Sequence, residues 1–273
     1  MSPEIVNTYE QISQLPAQVL PLFAKHNINI DPDSDLQKML DRCALAGQGV
    51  YSSADKLEVC RAQRVLLAIL ACSDEPEIKE PLNRIASSNL DFSSTEHSLG
   101  QDAVFELEFL QYVRHRGLTA KLGEPDIIVS APFGDYFVAC KCINSLANFK
   151  GQLRSGTSQV KKLGHGCVAF NLERQSKLIQ PLKVEQAKEV KAILDAELSE
   201  FYAHNTERFN RLLEDGSLDG VVLQISCFAN IAESGLDLNV CTHTVFYSRK
   251  NLQGAEAHNR FDGFRQSMRG QMG

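Results

Sequence analysis

Apolar residues recur at spacings of three and four through Ile5, Tyr9, Ile12 and Leu15, and again through Leu57, Val65, Leu66, Ile69 and Leu70. That period predicts helices over residues 1–90. Pro16, Pro21 and the segment 31–34 punctuate them, and Asp33 or Ser34 is placed to cap a helix through Leu36, Met39 and Leu40 that ends near Gly47 or Gly49. The polar stretch that follows, 91–98, reads as a linker. Beyond it the pattern changes. Residues 101–116 have a helical period and stop at Gly117, and 125–129 and 136–143 then read as two strands of a hairpin that turns at 132–135. A short helix over 158–163, a buried strand over 166–170, one long helix or two over 183–213, and strands over 220–229 and 236–247 complete the series. This order predicts an α/β fold over 99–250, a mixed central sheet flanked by helices, preceded by an all-helical N-terminal domain. Residues 251–273 read as a basic tail, disordered or lying on a partner.

Charge divides the chain in the same place. The net charge is -6, and residues 1–98 hold 14 Asp/Glu against 8 Lys/Arg, whereas 99–273 hold 20 of each. The acidic front third is therefore expected to grip a protein partner or a second copy of the chain rather than nucleic acid. Residues 136–172 contain no acid but carry Lys141, Lys150, Arg154, Lys161 and Lys162, which offers a local basic face to phosphates. No basic stretch followed by an apolar segment lies near Met1, and no apolar run approaches the roughly 20 residues of a membrane span, so a soluble, cytoplasmic protein is expected. The eight cysteines sit mostly in apolar runs without a CxxC pair and read as reduced, buried side chains. HExxH, GxSxG and P-loop motifs are absent, and the seven histidines suggest turn or sheet roles, as at His165 and His243.

Candidate chemistry lies in the hairpin. Strand residues alternate faces, so Phe137, Ala139, Lys141 and Ile143 point one way and Val138, Cys140 and Cys142 the other. Lys141 is then a lone charge in an apolar run, and burying it is costly unless it faces a carboxylate or a phosphate. Asp126, at the start of the preceding strand, is the nearest such group by sequence. An edge-strand lysine whose stem lies on apolar surface is the plain structural alternative.

An acid-bearing helix, Pro125-Asp126 at a strand start, a turn, and a second strand bearing Ala139-Cys140-Lys141 in the place of acid-x-Lys resemble the PD-(D/E)XK nuclease superfamily, which includes restriction endonucleases and Holliday junction resolvases. The resemblance covers residues 99–172 and implies a restriction-endonuclease-like core. It implies Mg²⁺ or Mn²⁺ held by Asp126, by an acid at position 139 and by the backbone carbonyl of Cys140, with Glu106 (or Glu108) of the helix completing the set. Lys141 would position or help deprotonate the attacking water, and Gln159 fits a glutamine that the family often places on its second helix. The departure is Ala139, which offers no ligand. Three readings stand open: an acid replaced by substitution, an acid migrated to Glu106, Glu108 or Glu124, or a fold that has lost catalysis and kept binding. The function implied is metal-dependent hydrolysis of DNA, as by an effector of a bacterial defence or restriction system, in a form that Ala139 disables. The rival is a non-catalytic nucleic-acid- or protein-binding module on the same fold.

Overall fold

The computed structural model describes residues 8–49, 52–91, 94, 96–176, 178, 180–249 and 255–269. The chain forms two compact units, Met1–Asp91 with Ser98–Leu107, and Phe92–His97 with Glu108–Gly273.

The first unit is helical: α1 (Tyr9–Ser13), α2 (Leu15–Lys25), α3 (Asp35–Ala46), α4 (Ser53–Ala71), α5 (Lys79–Ser87) and the beginning of α6 (Leu99–His115). Ser34 caps α3 by accepting the Gln37 N–H, and Ser52 and Asp55 form a reciprocal box at the start of α4. Pro21, expected to interrupt a helix, lies inside α2. A proline there forfeits a backbone hydrogen bond, but Leu15, Val19 and Phe23 continue one buried stripe across it, and their burial outweighs that loss. The expected linker includes residues 92, 93 and 95, which lie outside the described residues.

The second unit is α/β, with a mixed seven-stranded sheet flanked by helices. Strands β1 (Ala120–Leu122), β2 (Ile127–Ala131) and β3 (Gly134–Cys142) pair antiparallel in sequence. Helix α7 (Leu146–Leu163) then crosses over to β4 (Gly166–Asn171), which runs parallel to β3. After β5 (Leu182–Val184) and α8 (Ala187–Glu214), β6 (Gly220–Ile231) lies parallel to β4 and, further along, to β5, while β7 (Leu236–Tyr247) pairs antiparallel to it. Ala139, Val168, Phe170, Val221, Leu223 and Ile225 form one apolar sheet face, packed with Phe149, Leu153 and Val160 of α7 and Val190, Leu194 and Leu198 of α8. Burial pushes the Cys227 thiol on this face up to about 12, so it is a buried hydrophobe in chemistry as well as position.

Three expectations need correction. Helix α7 begins at Leu146 rather than 158, nucleated by a capping box between Ser145 and Asn148; Phe149, Leu153, Gly156 and Val160 are its buried stripe. The short strands β1 and β5 are additional, and the long helix starts at Ala187, after β5. The tail is not structureless over its described part, because Glu256–Arg269 form α9. Phe261, Phe264 and Met268 are its buried side, with Phe264 against Tyr136 and Phe246. A Cβ on Gly220 would lie 2.2 Å from the Phe261 ring, so glycine lets α9 approach β6 this closely. Arg260 anchors the helix through two hydrogen bonds to the buried Asp219, at 2.8 and 2.7 Å.

Candidate functional site

Strand β2 begins at Ile127, one residue after Asp126. Its register pairs Ile127 with Val138, so one further step sets Asp126 opposite Ala139, on the same face. The N–H and C=O of one strand residue point to the same side. Those of Cys140 point toward β2 but lie beyond its end, where no ladder partner remains. Asp126 fills that place: its Oδ2 accepts the Cys140 N–H at 2.7 Å. Lys141 Nζ then donates to Asp126 Oδ2 at 3.2 Å and to the Cys140 carbonyl at 2.9 Å. Both side chains are 13% exposed, so each charge is largely removed from water and compensated by the other.

The structure thus groups Asp126, Cys140 and Lys141, with Ala139 beside them. Ala139 is fully buried in the apolar cluster under α7, between Val168 and Gly156. A hard divalent cation takes about six oxygens, usually including one or two carboxylates. The strand pair offers one carboxylate, and the Lys141 ammonium sits on both Asp126 Oδ2 and the Cys140 carbonyl, the two oxygens that a metal would need. The strand pair by itself does not supply the oxygen set of a Mg²⁺ or Mn²⁺ site.

Glu106 has other company. It is 5% exposed, within the helical unit, and both its oxygens accept from Arg84, which also pairs with Glu80. Glu108 lies about 200° further round α6, on the opposite side of the helix, and belongs to the second unit. Gln159 sits on α7, which runs antiparallel to β3: Gly156 lies over Ala139 and Gly164 beside Phe137. Gln159 is therefore carried toward Phe137 and away from Lys141, and its buried Oε1 has no hydrogen-bond partner among the described residues. The exposed side of α7 presents Lys150, Arg154, Lys161 and Lys162, with no acid in the helix. Their basic character is legible as the acid-free stretch, but their alignment depends on the early start of α7.

No protein-family model matches the chain, and no curated protein matches it significantly.

Proposed function

We propose that the second unit is built like the core of a PD-(D/E)XK nuclease and, in this sequence, binds DNA without hydrolysing it. The observation that carries the proposal is the Asp126, Cys140 and Lys141 group at the end of the β2–β3 hairpin, with Ala139 where a second acid would face Asp126. An acid-x-Lys strand next to a Pro-Asp strand start puts two carboxylates and an ammonium on one face. Here one carboxylate is missing, and the ammonium neutralises the other. The remaining chemistry is recognition. The basic side of α7 suits a phosphate backbone, whose contacts are electrostatic and independent of sequence.

The test is binding and cleavage measured together. Fluorescence anisotropy with labelled duplex and single-stranded DNA should show binding that weakens with salt, unchanged by EDTA. Plasmid and single-stranded DNA incubated with Mg²⁺ or Mn²⁺ should remain intact. Cleavage appearing in Ala139→Glu and vanishing when Lys141→Ala is added would mark position 139 as the missing ligand. Absence of DNA binding at low salt would sink the proposal.

A further inference from the structure

The face of the sheet opposite α7 and α8 changes character along its length. Near α9 it is apolar, through Tyr136, Val222 and Phe246. Level with the carboxyl ends of β3 and β4 it becomes polar. Asn171 pairs in register with Gln224, and Gln224 with Thr244; Ser226 pairs with Thr242. Gln224 and Ser226 are buried, yet they hold hydrogen bonds with the hydroxyls of Thr244 and Thr242. Two neighbouring parallel strands, β3 and β4, end here beside the continuing β6, the kind of edge at which open α/β sheets characteristically receive ligands.

The loop after β4 folds back onto the end of β3 and builds a defined group there. Gln175 Nε2 donates to the Ile143 carbonyl at 3.1 Å, which fixes the backbone just before Asn144. Arg174 Nη1 donates to Asn144 Oδ1 at 2.7 Å and to the Glu96 carbonyl at 2.6 Å. Asn144 is 5% exposed, and its Nδ2, a donor with two hydrogens, has no hydrogen-bond partner among the described residues. Leaving such a donor buried and unsatisfied costs about 1–3 kcal/mol. A site that tolerates this cost beside a held guanidinium is arranged for an acceptor that arrives from outside.

We infer that Asn144 and Arg174 form a phosphate-binding site, in which the Asn144 amide donates to a phosphate oxygen while Arg174 supplies the positive charge. The assignment of that phosphate to a nucleic-acid strand rests on the DNA-binding reading above; the anion site itself does not. It lies beyond the carboxyl ends of β3 and β4.

Asn144→Asp is the informative substitution. The new carboxylate still accepts from Arg174, which preserves the loop, but it replaces the amide donor with an acceptor and repels an anion. Thermal unfolding of the full chain is followed with and without inorganic phosphate, and oligonucleotide binding is measured on the same samples. At phosphate near ten times its Kd, the wild type should gain about 3–5 °C and Asn144→Asp nothing, with oligonucleotide affinity falling about tenfold in the variant. Arg174→Gln should match Asn144→Asp in both readouts and guards against a local folding defect in either. A phosphate shift equal in wild type and variants, or absent from the wild type, overturns the inference. Oligonucleotide binding that is lost on substituting the α7 lysines but indifferent to Asn144→Asp also overturns it, and leaves the DNA-binding reading standing. A phosphate shift abolished by Asn144→Asp in a chain that binds no oligonucleotide upholds the anion site and removes the DNA-binding reading instead.

Discussion

Two carboxylates stand out in the sequence, Glu106 and Asp126, and they end in different surroundings. Glu106 meets Arg84, a planar fork whose two nitrogens reach both carboxylate oxygens, inside an all-helical unit. Asp126 meets Lys141, a point charge on a flexible stem, through one oxygen at a strand end. A bidentate arginine pair is specific in geometry and slow to give way, whereas a lysine can turn toward another anion with little loss. The first pair holds helices together. The second has the character of a site.

The largest effect is expected where that contrast is broken from the helical side. Arg84→Ala leaves Glu106 buried without its counter-charge and should cost about 3–5 kcal/mol in urea unfolding. A loss below 1 kcal/mol would show that the pair is not what secures α5 to α6. Next, Ala139→Glu forces a larger, charged side chain between Val168 and Gly156, and should lower stability by about 3 kcal/mol. A neutral result would mean that the pocket opens toward Lys141, and would weaken the argument that this position is part of the core. Lys141→Ala removes one ion pair from Asp126 but leaves it the Cys140 N–H, so about 1.5 kcal/mol is expected by the same unfolding measurement. A cost as large as that of Arg84→Ala would erase the distinction between the pairs. The smallest effect concerns the surface: Lys161→Ala should leave the fold unaltered and reduce the slope of log affinity against log salt by about 0.9 on duplex DNA. An unchanged slope would remove Lys161 from the interface.

The hairpin was legible because two short apolar runs flank the turn at 132–135, and the Asp126–Lys141 pair because a charge in such a run needs a partner. Strands β1 and β5 were not, since three residues carry no measurable period. The early part of α7 was hidden by Gly151 and Gly156, although Phe149, Leu153 and Val160 mark its buried side. The same stripe logic would have found α9 from Phe261, Phe264 and Met268, had the basic residues around them not suggested a tail. Other contacts were beyond sequence reading altogether. Arg174 meets Asn144 across 30 positions and Arg260 meets Asp219 across 41, pairings that only the strand order creates. For Glu106, the family resemblance implied a metal ligand, while Arg84, 22 positions earlier, gives it a structural partner.

The chain is proposed to retain DNA and leave it uncut. The most direct measurement incubates the purified chain with end-labelled DNA and Mg²⁺ or Mn²⁺, and reads bound fraction and strand length from the same sample. DNA bound at full length, with EDTA making no difference to either quantity, is the predicted result; metal-dependent shortening of the strand by the chain with alanine at position 139 would contradict the account.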